Sequence, residues 1–272
     1  MKSIALGQYY PSNSVLHRLD PRIKIVLAVL YIVCSFLCKN VLSFALLALS
    51  AVMLVLIGRI PLKIVFGGLR MILLILIFTS AINVFMTSGE ILLFEWKFIH
   101  IYLEGIYAAI FMVIRISALV LGTSMFMTYT TTPIELTDAL EDLLSPLKKL
   151  HVPVHEFAMM MTIALRFIPT LVEETDKIMT AQKARGVDFS TGSLVSRAKA
   201  LIPILIPLFV SAFNRAAELA TAMECRCYHG GEGRTRMKVR HVRFVDFIPL
   251  VIILLLGASM IALNILGIGF TM

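Results

Sequence analysis

Charged residues are scarce in this chain, and their scarcity excludes an ordinary soluble domain. Asp, Glu, Lys and Arg make up only 15% of the 272 residues, whereas hydrophobic residues make up 59%. Soluble domains carry about 25% charged residues. The long apolar runs, separated by short charged segments, therefore predict an integral membrane protein.

Residues that carry chemistry are also missing. The four cysteines, Cys34, Cys38, Cys225 and Cys227, are too few for a disulfide framework, and the last two lack the spacing of a structural zinc site. No phosphate-binding glycine loop occurs, so ATP hydrolysis cannot belong to this chain. No Ser/His/Asp or Cys/His combination occurs at a spacing that indicates a catalytic site. We therefore expect a non-catalytic protein with no cofactor and no metal.

The excess of basic residues has two interpretations. A net charge of +8 is compatible with binding to nucleic acid or to anionic lipid. However, the cytoplasmic loops of membrane proteins are rich in Lys and Arg by default. We therefore expect the basic segments to face a lipid bilayer, and we expect no nucleic acid partner.

The apolar runs predict five membrane-spanning helices. A spanning helix needs about 20 apolar residues, and runs of about this length cover residues 23–38, 41–57, 69–86, 105–127 and 247–270. Only Lys39 and Asn40 separate the first two runs, which predicts a tight antiparallel hairpin. Because Lys24 lies inside the first run, we expect its ammonium group to reach back to the lipid headgroups.

Basic residues set the expected orientation, because they concentrate in cytoplasmic loops. The first 24 residues and the connection between the second and third spans are basic, whereas the next connection is acidic. We therefore expect a multi-pass plasma membrane protein with a cytoplasmic N-terminus and an external C-terminus. The expected organisation is N-terminal spans in residues 1–127, a cytoplasmic region in 128–245 and a last span in 246–272.

The cytoplasmic region contains helices rather than a loop. Thr132-Pro133 predicts the start of an amphipathic helix over 134–144, and apolar residues at three- and four-residue steps predict long helices over 155–185 and 194–226. Both long helices are apolar along one face but interrupted by charges. We expect them to pack on each other at the inner membrane surface. The predicted fold class is thus all-α, a polytopic membrane protein with a cytoplasmic helix pair.

The two long helices end alike. Ala184-Arg185-Gly186 closes the first, Cys225-Arg226-Cys227 closes the second, and the two arginines are 41 positions apart. An arginine in a last helical turn also suits the helix dipole, so one such residue would carry little weight. Two of them, each between small residues, favour a docking device whose tip enters a groove on another protein. Since glycine is missing after Arg226, we expect Gly230-Gly231 to end the second helix.

These features resemble EcfT, the transmembrane coupling subunit of energy-coupling-factor (ECF) importers, which is related to the CbiQ-like membrane subunits of cobalt and nickel uptake systems. The resemblance covers most of the chain, and its strongest stretches are Thr132-Pro133, Leu143-Leu144-Ser145-Pro146-Leu147, Arg166-Phe167-Ile168-Pro169 and Ala181-Gln182-Lys183-Ala184-Arg185-Gly186. It implies that two Ala-Arg-Gly signatures dock on two ATP-binding cassette ATPases. The docking residues would be Ala184, Arg185 and Gly186 in the first signature and Cys225, Arg226 and Cys227 in the second, where cysteines replace alanine and glycine.

The resemblance also implies a function. ATP-driven motion would pass through the two helices to a substrate-binding membrane protein, the S-component, for uptake of vitamins or other micronutrients, metal ions included. The expected S-component contact lies on the apolar helix faces, at Met160, Met161, Leu165, Leu205 and Phe209. The alternatives are a secondary transporter, which would need an inverted repeat and broken midplane helices, an ordinary ABC permease subunit and a membrane-bound enzyme.

Arg115 lies near the middle of the fourth predicted span. A charge at that depth costs at least about 2.5–3.5 kcal/mol, so its guanidinium group must be compensated. Two roles are open: pairing with a polar group on a neighbouring helix or partner, which we favour, and a role in handling substrate.

Overall fold

The computed structural model describes residues 9–87, 91–96, 99–187, 189, 193–231 and 242–266. Within these ranges helices dominate, which confirms the predicted all-α class; the single addition is a short antiparallel hairpin. The helices and strands are, in chain order, α1 (Val15–Arg18), α2 (Pro21–Leu37), α3 (Val41–Gly58), α4 (Leu62–Met86), β1 (Leu92–Trp96), β2 (Ile99–Tyr102), α5 (Leu103–Thr123), α6 (Pro133–Leu143), α7 (Val154–Ala184), α8 (Leu194–Cys225) and α9 (Phe247–Leu266).

The three helices α6, α7 and α8 begin and end within one residue of their predicted limits. At the start of α6, Thr132 and Glu135 form a capping box: each side chain accepts a hydrogen bond, at 3.3 Å, from the other residue's backbone N–H. A 3-10 helix, Ser145–Leu150, follows α6. Local capping and helical periodicity were therefore sufficient to place these elements.

The described chain divides into two compact units. We call the first, the described residues between 9 and 136 and between 242 and 266, the bundle unit; it contains α1 to α5, the hairpin and α9. We call the second, the described residues between 137 and 231, the arm unit; it contains α7 and α8. The boundary falls within α6, between Leu136 and Thr137.

Four described helices are long and apolar enough to cross a membrane: Val41–Gly58, Leu103–Thr128, Arg197–Cys225 and Phe244–Leu266. A fifth is α4, if its two bent parts, Leu62–Arg70 and Ile72–Met86, form one span. The first predicted span corresponds to α2, which has 17 residues and is shorter than each of these four helices. The end predicted for the last span, Phe270, lies outside the described residues. Since α8 is itself long and apolar enough to cross a membrane, its expected position at the membrane surface stays a prediction.

The core of the bundle unit lies where α2, α3, α5 and α9 meet. Leu27 of α2, Leu47 of α3 and Met260 of α9 are completely buried there. The Tyr31 hydroxyl of α2 lies 3.3 Å from Ser50 Oγ of α3, which agrees with the expected antiparallel pairing across their short connection. The more extensive backbone contacts of α2 are with α9 and α5, and those of α3 are with α5. Periodicity shows which residues of a helix are buried but not which helix covers them, so the contact between α2 and the last helix was not predictable.

The C-terminal end of α2 is held by side chains from other helices. A helix end leaves its last carbonyls without intrahelical donors. Asn264 of α9 donates from Nδ2 to the Leu37 carbonyl at 2.6 Å, and Arg115 of α5 donates from Nη2 to the Cys38 carbonyl at 2.9 Å. The Arg115 guanidinium also lies 5.1 Å from the centre of the Phe44 ring. Arg115 therefore has the structural pairing that the sequence favoured.

Lys24 points into the bundle unit, not toward the headgroups as expected. Its side chain is 1% exposed, and its ammonium group donates to the Thr130 carbonyl at 2.7 Å and to the Thr131 hydroxyl at 3.3 Å. These acceptors follow a π-helical turn, Ser124–Thr128, that extends α5. A buried ammonium group is tolerated only when it is hydrogen-bonded. The expectation was wrong because the acceptors are more than 100 residues away in the sequence.

Gly122 generates a packing prediction. A Cβ atom at this position of α5 would lie 2.1 Å from Cε1 of Tyr31, whose side chain is buried in the core. We expect Gly122→Ala to destabilise the protein by about 1–3 kcal/mol, the usual range for overpacking. The measurement is the thermal unfolding midpoint of the purified protein in detergent.

The matched control is Gly67→Ala on α4, where no atom lies within 4 Å of the added Cβ. Its midpoint should stay the same or rise slightly, because alanine favours a helix over glycine. Equal midpoints for the two variants would contradict the packing of α5 against Tyr31.

Candidate functional site

The first candidate docking signature forms a Schellman motif at the end of α7. Gly186, at φ +85°, donates its N–H to the Lys183 carbonyl at 3.0 Å, and Val187 donates to the Gln182 carbonyl at 3.1 Å. This pair of bonds defines the motif, in which a residue with positive φ follows the last helical residues. Arg185 is consequently the C-cap of α7, at the tip of a 31-residue helix.

The second signature has the same backbone. Cys227 donates its N–H to the Glu224 carbonyl at 2.9 Å, and Tyr228 donates to the Met223 carbonyl at 3.1 Å. Cys227 takes the glycine position of the motif at φ +55°. The expectation that Gly230-Gly231 ends α8 is therefore wrong: the helix ends at Cys225, and Arg226 is its C-cap.

Both tips are open. The residues of the two predicted docking sets are all exposed: Ala184, Arg185, Gly186, Cys225, Arg226 and Cys227. Among the described residues, neither the Arg185 nor the Arg226 side chain has a hydrogen bond or ion pair. Small neighbours on both sides leave each guanidinium group accessible, so two similar cationic tips are available to a partner.

The helices α7 and α8 lie antiparallel. Glu174 and Arg215 form an ion pair, with 2.6 Å between Oε2 and Nη2. Further along α7, Gln182 donates from Nε2 to the Pro203 carbonyl at 3.4 Å. Residue numbers rise along one helix as they fall along the other. The two arginine tips consequently point away from the helix contact in opposite directions.

The Gln182 hydrogen bond compensates a proline. Pro207 has no N–H, so it cannot donate to the carbonyl four residues earlier, which belongs to Pro203. A carbonyl freed in this way needs another donor. Gln182, whose own carbonyl takes part in the Schellman motif, supplies one. The end of α7 is thereby tied to the bend-prone part of α8.

The chain after the second tip returns to the start of α7. A Cβ atom on Gly231 would lie 2.5 Å from Cδ2 of His155, so the backbone of Gly231 packs directly against that ring. The ring is held from the other side by Glu141 of α6, whose Oε1 lies 3.0 Å from His155 Nδ1. These contacts fix the segment that carries Arg226.

The predicted S-component contact is mostly exposed in this chain. Four of its five side chains are exposed, namely Met160 (53%), Met161 (54%), Leu205 (48%) and Phe209 (62%). Leu165 is half-buried. Phe157 and Phe213, which the prediction omitted, are exposed as well, and the Phe213 ring stacks on that of Phe209. Both could have been included, because they continue the same apolar spacing.

Sequence reasoning also missed Glu174, Arg215 and Gln182 as contacts between the helices. One signal was present: Glu174 and Arg215 have opposite charges and are 41 positions apart, the same offset as the two arginine tips. In the described part of the chain, no group of three or more His, Cys, Asp or Glu residues could hold a metal ion.

Comparisons with known proteins agree on one family. Residues 12–238 match the family model of CbiQ, the cobalt transport protein. The chain is 54% identical to the energy-coupling factor transporter transmembrane protein EcfT of Ruminiclostridium cellulolyticum, over 92% of each chain. It is 50% identical to EcfT of Bacillus subtilis over 88% of this chain and 89% of that one. EcfT of Thermosediminibacter oceani is 47% identical over 100% and 98%.

The two tips generate a pair of opposite predictions. A non-glycine residue in the left-handed region costs about 1–2 kcal/mol, so Cys227→Gly should strengthen the end of α8 and Gly186→Ala should weaken that of α7. A change of about 1 kcal/mol alters amide exchange roughly fivefold. We expect slower hydrogen exchange at the Tyr228 amide in the first variant and faster exchange at the Val187 amide in the second.

Each variant serves as the control for the other, because the unchanged tip should keep its exchange rate. If the Tyr228 amide exchanged at the same rate in both proteins, Cys227 would not carry the strain that its φ implies.

Proposed function

The chain belongs to the CbiQ family of cobalt transport proteins, as an energy-coupling factor transporter transmembrane protein of the EcfT type, and from this premise we propose how it works. It acts as a non-catalytic coupling and scaffold subunit. It transmits ATP-driven motion from two cytoplasmic ATPases to a substrate-binding S-component in the membrane. The cargo is a vitamin or another micronutrient, metal ions included.

One observation carries the proposal: two helices of similar length end in the same capping motif, each with an exposed arginine at the C-cap. An arginine fork pairs well with carboxylates or with the free carbonyls of a partner helix. In this proposal Arg185, with Ala184 and Gly186, docks on one ATPase. Arg226, with Cys225 and Cys227, docks on the other.

The difference in charge between the tips suits two non-identical ATPases. Lys183 precedes Arg185 by two positions, whereas Glu224 stands at the matching place before Arg226. Both side chains are exposed. The first tip is therefore dicationic and the second is close to neutral, so each would prefer a docking groove of different charge.

The exposed apolar face of the arm unit is the proposed S-component contact. Exposed apolar patches of this kind mark protein or membrane interaction sites, and methionines adapt to partners of different shape. Met160, Met161, Leu165, Leu205 and Phe209 form the proposed contact. In the proposed topology, residues 1–127 and 246–272 contain the spans, and residues 128–245 and the N-terminus are cytoplasmic.

The first experiment is a mild-detergent pull-down of the tagged chain from its own membrane, with partners identified by mass spectrometry. We expect two nucleotide-binding ATPases and one or more small hydrophobic membrane proteins. A chain that purifies alone and still moves a substrate across liposomes would instead favour a secondary transporter.

The arginines are tested by Arg185→Ala, Arg226→Ala and the double substitution. Truncating a central interface arginine commonly costs about 2 kcal/mol or more, which is roughly 30-fold in affinity. Each single variant should therefore retain less ATPase in the pull-down. The double variant should lose uptake of radiolabelled cobalt, or of whichever vitamin in a test panel the unmodified cells accumulate.

Arg197→Ala is the control, since Arg197 is an exposed arginine at the start of α8 rather than at a tip. It should leave ATPase recovery and uptake unchanged. Normal uptake by the double variant would refute the coupling role of the tips.

A further inference from the structure

We propose that the Glu174–Arg215 ion pair is the pivot of the arm unit, the point about which α7 and α8 change their crossing angle when the tips are moved. The inference rests on the proposed coupling function. It assigns a positioning role to two residues that touch neither ATPase nor substrate.

The first argument is symmetry. Glu174 and Arg215 occupy equivalent positions of the repeat, because their offset of 41 residues equals that of Arg185 and Arg226. In an antiparallel pair of equivalent helices, a residue can touch its own counterpart only close to the two-fold axis that relates the helices. The 2.6 Å contact between these two side chains therefore marks that axis.

The second argument is that the two helix segments from the ion pair to the tips are equally long. Arg185 lies eleven positions after Glu174, and Arg226 lies eleven positions after Arg215. At 1.5 Å per residue, each tip stands about 16 Å from the ion pair along its helix. A rotation about this point moves both tips by the same distance, as two ATPases that close together would require.

The third argument is chemical. Apolar contacts between helices are non-directional, so they allow the helices to slide as well as to rotate. A half-buried ion pair fixes the register at one point, the best-attested role of such pairs. Arg215 also has its Nε 3.5 Å from the Ser211 hydroxyl. Hydrogen bonds to the carboxylate from Arg215 and from Ser211 hold the pKa of Glu174 below its ordinary value.

A contact near the ion pair favours the crossing angle seen here. A further side-chain hydrogen bond between the two helices, from Gln182 to the Pro203 carbonyl, is long at 3.4 Å and lies between the pivot and the first tip. A change of crossing angle must stretch this bond, whereas the ion pair on the axis can persist. The ion pair thus sets the axis, and the glutamine bond favours the angle seen here.

The test uses the complete complex purified from the membrane with its ATPases. Thr180 and Thr221, exposed and equivalent in the repeat, are replaced by cysteine and spin-labelled. The background is Cys225→Ala, Cys227→Gly, which gives the second tip the Ala-Arg-Gly residues of the first. The distance between the labels is measured with and without ATP plus vanadate. Glu174→Gln and Arg215→Gln should each at least halve the ATP-driven change in distance and broaden its distribution about twofold.

Two further variants make the test specific. The charge exchange, Glu174→Arg with Arg215→Glu, restores an ion pair at the axis and should recover most of the distance change. Glu173→Gln alters an exposed, adjacent glutamate and should leave the change as in the parent complex.

The outcomes separate the pivot from the function on which it rests. A parent chain that co-purifies with no ATPase overturns the proposed function and the pivot with it. A parent complex that responds to ATP, with Glu174→Gln and Arg215→Gln variants that respond equally, overturns the pivot alone. Failure of the charge exchange to restore a lost response would also overturn it.

Discussion

A carbonyl group that loses its helical donor must find another donor where water is excluded, and this constraint underlies the architecture of the chain. At the end of α2, Arg115 and Asn264 donate to the last free carbonyls. After the π-helical turn that ends α5, Lys24 donates to the carbonyl of Thr130. In the arm unit, Gln182 donates to the carbonyl that Pro207 leaves free. Each donor comes from another helix, so satisfying the backbone also fixes which helices are neighbours.

The same constraint separates structural cations from those available for binding. Arg115 and Lys24 direct their donors inward to backbone oxygens, and Arg215 directs its fork to Glu174. Arg185 and Arg226 are the C-cap residues of motifs that already satisfy their helix ends through backbone hydrogen bonds. Their guanidinium groups therefore have no structural task within the described chain. That difference, rather than the mere presence of arginine at a helix end, gives the docking interpretation its weight.

Local features of the fold could be predicted from the sequence, whereas distant pairings could not. Helical periodicity placed α6, α7 and α8 to within a residue, and the small neighbours of Arg185 and Arg226 identified the tips. The burial of Lys24 and the contact of α2 with α9 depend on partners far along the chain. Cys227 is a different case: the capping geometry overrode the preference for glycine, which sequence rules treat as decisive. The 41-residue offset was the one long-range signal, and it pointed to Glu174 and Arg215 as well as to the tips.

The positions of the prolines indicate that the two halves of α7, and likewise of α8, differ in stiffness and serve different mechanical roles. Pro169, Pro203 and Pro207 all precede the Glu174–Arg215 contact in their helices, and the segments from that contact to Arg185 and Arg226 contain neither proline nor glycine. An unbroken hydrogen-bond ladder makes the tip segments stiff, whereas a proline removes one bond and permits bending. In the proposed mechanism, displacement of a tip would then reach the contact point undiminished. The softer halves, which carry the exposed methionines and phenylalanines, would adapt to the shape of the partner they touch.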